Sequence, residues 1–358
     1  MTSKNILVLF GGASPEHEIS IESAASIIST LHRHTVIPVY ITREGKWLLY
    51  DGKLDNIRGI DWEKFGTPAI LSPDRVNQGL MRIVGDKVKI IPVDVVFPVL
   101  HGPNGEDGTI QGLCELAGIP YVGCGVVASS VGMDKAMNKI VARGLKIPQT
   151  DFLVFGEDYL RENIKEALKK IRYKLGYPCF VKPSCGGSSI GISKALNRKE
   201  LEQAIETALK FSSRVVIEKS VIGREIEVAV YGSGIDAKAS VVGEVVADGE
   251  FYDYEAKYEK PDSKTIVPAD IPQETADKIR EYALLMYRAI DGRGLSRVDF
   301  FVTEDNRIIF NEINTVPGFT KISMYTQMWE KSGIPRQQLI EGLICQALKA
   351  HFQAVGDE

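Results

Sequence analysis

Two carboxylates, an amide and a guanidinium stand at spacings that would bring them together on a sheet: Asp299, Glu312, Asn314 and Arg297. Residues 296–302 (SRVDFFV) and 308–314 (IIFNEIN) are rich in β-branched and aromatic types, and the TEDNR between them is turn-forming. The segment therefore reads as a hairpin centred on Asp305 and Asn306. With Glu304 facing Arg307, the paired residue numbers keep a constant sum, which sets Asp299 opposite Glu312 and Arg297 opposite Asn314. Side chains alternate along strands, so all four project from one face. Phe301 and Phe310 are expected on that same face, with Val298, Phe300, Ile309 and Ile313 on the other. A strand pair apolar on both sides is buried, and buried charge needs a reason. Hard cations take oxygen ligands, and a fixed guanidinium suits phosphoryl oxygens. The four residues thus predict a magnesium and phosphate site.

Such a site needs elements to hold it. Residues 6–10 read as a buried strand, Gly11-Gly12-Ala13 as a turn, and Ser14 as a helix N-cap with Pro15 in the first helical position. That helix is expected to run to about residue 31. Residues 36–41 and 47–50 flank a hairpin turn at 43–46, and the apolar run 93–100 feeds a glycine-rich loop, 101–108, then a helix to about residue 116. Strand, glycine loop and helix, repeated, predict a doubly wound α/β unit that binds ligands at the carboxyl ends of its strands.

The middle third reads as α+β, with helices over about 135–143, 158–175 and 199–210 and a short strand, 179–181, entering the loop 182–191. Strands follow at 214–218, 225–231 and 241–246. Residues 251–271 are polar, Tyr-rich and aperiodic, and a loop of that length inside a compact protein is a lid or a linker. A helix over 273–290, the hairpin and a terminal helix over about 336–351 complete the chain.

Composition narrows the function. The 358 residues are 44% hydrophobic and 25% charged, which suits a globular chain of two or three domains. The net charge of -4, without a Lys/Arg run, argues against nucleic acid and anionic membranes as partners. No apolar run reaches membrane-spanning length, and residues 1–5 lead into strand 6–10 without a signal-cleavage pattern, so a cytoplasmic location is expected. Cys114, Cys124, Cys179, Cys185 and Cys345 are dispersed and odd in number, as free thiols in a reducing compartment would be. Cys185 lies in a Gly/Ser loop but has no His or Asn motif beside it.

Two further motifs bear on phosphate and nucleotide. In Lys182-Pro183-Ser184-Cys185-Gly186-Gly187-Ser188-Ser189-Ile190-Gly191, backbone N–H groups could cradle phosphate oxygens and Lys182 adds a cation. The lysine precedes the glycines, so this is neither GxxxxGK[ST] nor GxGxxG. Glu218 and Glu225 stand at the two ends of a strand-to-turn link, where one could read an adenine amino group and the other ribose hydroxyls.

Taken in order, Lys135, Lys182 with its glycine loop, Glu218, Glu225, then Arg297/Asp299 and Glu312/Asn314 resemble the ATP-grasp fold of carboxylate–amine ligases. Five longer motifs sharpen the likeness. They are Gly11-Gly12-x-Ser14-x-Glu16-x-Glu18-x-Ser20, His101-Gly102-x-x-Gly105-Glu106-Asp107-Gly108, Met133-Asp134-Lys135, Tyr252-Asp253-Tyr254-x-x-Lys257-Tyr258 and Asn311-Glu312-Ile313-Asn314-Thr315-x-Pro317-Gly318. From about Asn5 to about Leu348 the chain resembles the D-alanine–D-alanine ligase family.

The resemblance implies an N-terminal doubly wound α/β domain (1–124) and a two-lobed ATP-grasp module. The central lobe would span 125–219, and the C-terminal lobe 220–358 would carry the lid loop 251–271 and the metal site. It implies that Lys135 and Lys182 contact nucleotide phosphates, that Glu218 and the backbone near Val221 hold adenine, and that Glu225 holds ribose. Ser188, Ser189, Lys219, Asn311 and Glu312 complete the implied ATP set. Asp299, Glu312 and Asn314 would bind two magnesium ions, or manganese in their place. Glu16 would take the ammonium of the first D-alanine, with His101 close to that substrate. Arg297 and the Gly318 N–H would stabilise the oxyanion, and Ser323 and Met324 would meet the carboxylate of the second D-alanine. Ser188 and Tyr258 would join Glu16 in closing the lid, with Lys257 over the phosphates.

The implied activity is ATP-dependent ligation of two D-alanine molecules through an acyl phosphate, releasing ADP and phosphate, for peptidoglycan synthesis in a cytoplasmic homodimer. The alternative is the same fold joining D-alanine to D-serine or D-lactate. In the family, a tyrosine at the position of Tyr258 goes with D-alanine. A nucleotide-gated binding protein would not need Arg297 beside a two-metal site, and a dinucleotide oxidoreductase would need the GxGxxG that the first strand lacks.

Overall fold

Five large apolar residues, 6–10, form the centre of β1 (Asn5–Gly11), which is buried along almost its whole length. Gly11 and Gly12 then turn with φ of +87° and +97°, and α1 (His17–Ile28) follows. The computed structural model describes residues 2–54, 57–246, 264–320 and 322–356, with side chains as far as 351. Next come β2 (Thr35–Ile41), β3 (Trp47–Leu49), α2 (Trp62–Phe65), β4 (Thr67–Leu71), β5 (Gly79–Val84), β6 (Lys87–Pro92), β7 (Val95–Pro98) and α3 (Thr109–Ala117). They form one sheet in the order β6-β5-β4-β3-β2-β1-β7. Its core β2-β1-β7 is parallel, and β3 to β6 extend it as an antiparallel meander.

The second sheet is antiparallel. It follows α4 (Val126–Met133) and α5 (Lys135–Gly144), and consists of β8 (Phe152–Gly156), β9 (Cys179–Pro183), β10 (Ser193–Ala195) and β11 (Arg214–Lys219), in the order β10-β9-β11-β8. The helices α6 (Glu157–Lys174) and α7 (Arg198–Leu209) cover it with buried Leu160, Leu168, Leu201 and Ile205. The third sheet is β14-β13-β12-β15-β16, from β12 (Arg224–Ser233), β13 (Lys238–Val246), β14 (Lys264–Ile266), β15 (Arg293–Val302) and β16 (Ile308–Asn314). Against it packs α8 (Gln273–Ala289), through Ile279, Ala283, Met286 and Tyr287. The last helices are α9 (Met324–Lys331) and α10 (Arg336–Gly356). Met328, Trp329, Leu339 and Leu343 of these helices share one apolar cluster with Ile6, Val8 and Phe97 of the first sheet and Ile27 of α1. The chain's two ends are therefore joined through a common core.

Three local expectations change. Ser14 does not cap α1: its Oγ accepts from Glu16 N at 3.1 Å, residues 14–16 form a turn, and Glu16 takes the N-cap position. The aperiodic stretch 251–271 holds a strand, since β14 pairs with β13 from Glu244↔Ile266 to Val246↔Lys264. Three residues are too few to show a period. The rest of that expected lid, 251–263, lies outside the described residues, and so do Lys257 and Tyr258.

The third change concerns the hairpin. Its turn pairs Thr303 with Arg307, not Glu304, and the strands run Val302↔Ile308, Phe301↔Ile309 and Phe300↔Phe310 before the register shifts at a bulge. Beyond it, Asp299↔Glu312 and Arg297↔Asn314 stand as expected. The bulge puts Phe310 on the core side, its ring 5.8 Å from that of Phe300, and leaves Asn311 and Glu312 together on the polar side. Burying a phenylalanine is worth about 1.5–3 kcal/mol, whereas one ladder hydrogen bond nets about 0.5–1.5 kcal/mol. Burial wins, and the bulge is its consequence.

Candidate active site

The third sheet presents a row of carboxylates. By register Glu227 on β12 lies opposite Asp299 on β15, which lies opposite Glu312 on β16. Arg297, two residues from Asp299 and therefore on the same face, donates from Nε and Nη2 to Asp299 Oδ1 and Oδ2 at 2.8 and 2.7 Å. Its Nε also lies 3.2 Å from Glu227 Oε1. At the other end Lys135 Nζ stands 3.1 Å from Glu312 Oε2 and donates to Gly186 O at 2.9 Å. Burial would pull the Lys135 ammonium down, but Glu312, with smaller help from Glu218 and Cys185, more than offsets it and raises it. Asn314 Oδ1 accepts from Val316 N at 3.0 Å.

Asp299, Glu312 and Asn314 are oxygen donors only. Among the described residues no group of three His, Cys, Asp or Glu side chains is arranged to hold a metal by itself. That donor set fits a hard divalent cation shared with phosphate oxygens, as magnesium is usually held through one or two carboxylates.

Beside the carboxylate row, α5 meets the glycine loop. Asp134 caps the helix by accepting from Ala136 N and Met137 N. The same carboxylate receives Ser184 Oγ at 2.5 Å and the Arg214 guanidinium, while Lys135 N donates to Ser184 O at 2.7 Å. In the loop, Ser188 and Ser189 both take left-handed backbone, with φ of +49° and +58°. Strain of about 1–3 kcal/mol at each such residue persists only where the surroundings impose it.

Glu218, at the end of β11, is 5% exposed. Lys139 Nζ lies 3.1 Å from its Oε2 and Lys182 Nζ 3.2 Å from its Oε1, with Thr150 Oγ1 donating to Oε2 at 3.2 Å. Burial alone would raise this carboxyl, yet the two lysines hold it down at about 2. Lys139 is 1% exposed, and burial lowers its ammonium, Lys182 pushing the same way against Glu218. Lys182 also donates to Asn311 Oδ1 at 3.3 Å, the amide that the bulge turns to this side. Lys219 ends β11, its N–H engaged by Asp151 O at 3.0 Å, and Val221 follows in the link to β12. Glu225 lies two residues before Glu227 on the same face of β12.

The first sheet contributes the remaining groups. Ser188 Oγ donates to Glu16 Oε1 at 2.5 Å, so α1 and the glycine loop meet directly. A Cβ at Gly187 would approach Glu16 Oε2 to 2.7 Å and one at Gly102 would approach it to 2.8 Å, so a side chain at either would push the Glu16 carboxylate aside, and Gly102 is further constrained by its left-handed φ of +72°. His101, buried after β7, places Nδ1 3.1 Å from Val316 O and 3.4 Å from Glu106 Oε1, and Nε2 3.3 Å from Ser23 Oγ. Burial opposes protonation of His101, but Glu106 and Glu16 outweigh it and raise its pKa.

The sign of the resulting pH dependence follows. A histidine raised in the folded state adds stability that is fully present below its unfolded value, about 6.5, and is lost as pH rises through the folded value. Burial also raises the Glu106 carboxyl, and its contact with His101 is long at 3.4 Å and shared with Val316 O, so Glu106→Gln is expected to cost about 0.5–1.5 kcal/mol at pH 6, as an ordinary hydrogen bond does. The difference from wild type should narrow by pH 9. Melting temperatures of both proteins at the two pH values check this, and a difference that widens with pH would refute it.

Gly318, Ser323 and Met324 follow β16. Ser323 is the N-cap of α9 but makes no capping bond; its Oγ accepts from Thr320 N at 3.0 Å. The Met324 side chain is buried, and a Cβ at Gly243 would meet its terminal carbon at 2.3 Å. What Met324 offers outward is backbone, in a helix first turn whose N–H groups lack intrahelical acceptors. Glu16, His101, Ser188, Arg297, Asn314 and Ser323 line one cleft of about 1320 Å³. Gly318 and Glu312 line it too.

Three members of this constellation escape sequence reasoning. Glu227 could have been found two residues after Glu225, since strand side chains alternate. Lys139 stands four residues after Lys135, on the same helix face. Glu106 sits inside the motif that carries His101, but nothing in its spacing marks it as that histidine's partner.

The chain matches two family models, described as "D-ala D-ala ligase N-terminus" over residues 5–124 and "D-ala D-ala ligase C-terminus" over residues 141–345. It is 48% identical to the D-alanine–D-alanine ligase of Acetivibrio thermocellus, covering 97% of this chain and 96% of that one. It is 46% identical to that of Caldicellulosiruptor bescii, with 99% and 97% covered. Among solved structures, VanG D-Ala:D-Ser ligase from Enterococcus faecalis superposes with a TM-score of 0.87 at 38% identity, covering 97% of this chain and 100% of that one. The D-alanine–D-alanine ligase from Coxiella burnetii superposes with a TM-score of 0.84 at 32% identity, covering 99% and 97%.

Proposed function

The chain belongs to the D-alanine–D-alanine ligase family and is an ATP-dependent ligase that joins two D-alanine molecules for peptidoglycan synthesis, and on that premise we propose how its residues divide the work. A carboxylate is a poor acyl donor, so the γ-phosphoryl group of ATP first converts the first D-alanine to an acyl phosphate. Glu16 holds the ammonium of that D-alanine, beside His101. Glu218 and the backbone of Lys219 and Val221 hold adenine, and Glu225 holds ribose. Lys135, Lys182 and Lys257 meet the phosphates, with Ser189 contributing from the glycine loop and Asn311 orienting Lys182.

Asp299, Glu312 and Asn314 would hold two magnesium ions, or manganese, which when bound offset charge on the phosphoryl oxygens. The amine of the second D-alanine then attacks, its carboxylate held at Ser323 and the first turn of α9, where Met324 lies. The oxyanion meets Arg297 and the Gly318 N–H. Ser188 and Tyr258, with Glu16, close the site against water, which would hydrolyse the acyl phosphate. The three units are 1–124, 125–219 and 220–358, working as a cytoplasmic homodimer.

This reading is carried by one observation: an anion, Glu16, and a cation, Arg297, face one cleft with the first turn of α9. No described helix is long and apolar enough to cross a membrane. The likeness to a D-Ala:D-Ser ligase makes D-serine the alternative second substrate. Phosphate release from ATP is to be measured with D-alanine alone, then with D-serine or D-lactate added, and the products identified by mass. D-alanyl-D-alanine is expected to dominate every mixture. A mixed product in excess would overturn the choice of second substrate.

A further inference from the structure

The backbone around Gly318 is held mainly from outside its own lobe. Among the described residues, four hydrogen bonds anchor the backbone of residues 316–319. One is local, Val316 N to Asn314 Oδ1 at 3.0 Å. The other three come from the N-terminal sheet and its first helix. His101 Nδ1 meets Val316 O at 3.1 Å, Ser26 Oγ donates to Phe319 O at 2.9 Å, and Phe319 N donates to Ser23 Oγ at 3.4 Å. Ser23 and Ser26 are three residues apart in α1 and so share a face. They take both backbone polar groups of the residue that follows Gly318. The Phe319 side chain is buried with Ile27 of the same helix in the shared core, its ring 5.6 Å from that of Tyr325. Arg336 of α10 donates to Ser26 O, tying this end of α1 down from behind. Gly318 itself has no hydrogen bond among the described residues and lines the cleft.

We infer that Ser23 and Ser26 are positioning residues for the ligation step: through Phe319 they aim the Gly318 N–H at the carbonyl under attack. The helix that follows Glu16 thus sets the angle of an oxyanion donor nearly 300 residues later in the chain. Ser26 is the stronger grip, since it donates at 2.9 Å, while the contact of Ser23 at 3.4 Å is long and shared with His101. The inference rests on the proposed role of Gly318. A donor displaced by about 1 Å costs up to about 10²-fold in rate, and the loss should fall on the capture of the acyl phosphate, not on its formation.

The test compares the phosphate released per dipeptide formed in Ser26→Ala, Ser23→Ala/Ser26→Ala, Ser26→Thr and Arg297→Ala, alongside wild type. Ser26→Ala is expected to lower kcat for dipeptide about 10-fold and the double variant up to about 10²-fold. Both should raise the phosphate-to-dipeptide ratio with the KM for ATP unchanged. Ser26→Thr keeps the hydroxyl and should restore the ratio. A wild-type ratio and kcat in Ser26→Ala, with Arg297→Ala uncoupled, would sink the serine inference alone. Wild-type coupling in Arg297→Ala as well would sink the oxyanion reading beneath it. If the double variant fails to fold, Ser26→Ala against Ser26→Thr decides the matter.

Discussion

Arg297→Ala is expected to lower kcat for dipeptide formation by about 10²–10³-fold, the loss seen when one oxyanion donor is removed. ATP binding should survive the change. The guanidinium lies against Asp299 and Glu227, at 2.7 and 3.2 Å. Its removal leaves two carboxylates facing one another, which invites a divalent cation more strongly than before. The apparent magnesium requirement should therefore fall, or stay level, while turnover collapses. Arg297→Lys should recover little, because an ammonium cannot reproduce the two parallel bonds to Asp299. Steady-state kinetics against ATP, D-alanine and magnesium, with nucleotide affinity measured by calorimetry, separate these effects. A variant with lost ATP affinity and high residual ligation would place Arg297 with the nucleotide instead.

The second large effect is expected at Glu218, where the change is in stability. Its carboxylate lies between Lys139 and Lys182, and Lys139 is 1% exposed. Glu218→Gln leaves a buried ammonium without its anion, and breaking such a pair costs about 3–5 kcal/mol. The lower end, about 3 kcal/mol, is expected because burial already pulls Lys139 toward its neutral form. Glu218→Gln/Lys139→Met should recover much of the loss, since it removes the buried ammonium that the single variant leaves without its anion.

The pH dependence has the opposite sign to that of His101. A carboxyl held down at about 2 contributes stability above its ordinary value of 4.5, and that stability is lost as pH falls toward 2. The gap between wild type and Glu218→Gln should thus be constant from neutral pH to about pH 5 and close in acid. Denaturant unfolding at several pH values checks both the size and the window. A single variant within about 1 kcal/mol of wild type would mean that the pair contributes no more than a surface contact.

The parts of the site that can be read from sequence are those whose spacing is set by secondary structure. Asp299, Glu312, Arg297 and Asn314 sit on paired strands, and their opposition was recoverable from alternation and turn chemistry. The glycine loop and Glu16 carried motifs. The pairing at the site matches the alternation because two departures cancel: the turn is one residue longer than its composition predicts, and the bulge restores the offset. A bulge is decided by which side chains the rest of the protein buries, here Phe310 and Ile313 together, and no local pattern contains that information. The same holds for Lys139 and Ser26: each acts through a partner distant in sequence, so only the tertiary fold reveals it. The β14 strand is invisible in the sequence for a different reason: three paired residues leave no period.

The bulge at Asn311 also has a meaning in terms of reading frame. Toward the turn, paired positions of β15 and β16 run in one phase, and toward the site they run in another. Asn311 is the single residue that shifts between them. Excised from the chain, it would leave Phe310 against Phe300 and Glu312 against Asp299, with every other pair in step. The amide that touches Lys182 is thus an insertion in the grammatical sense. It is one extra letter, placed where the phrase on either side stays in frame.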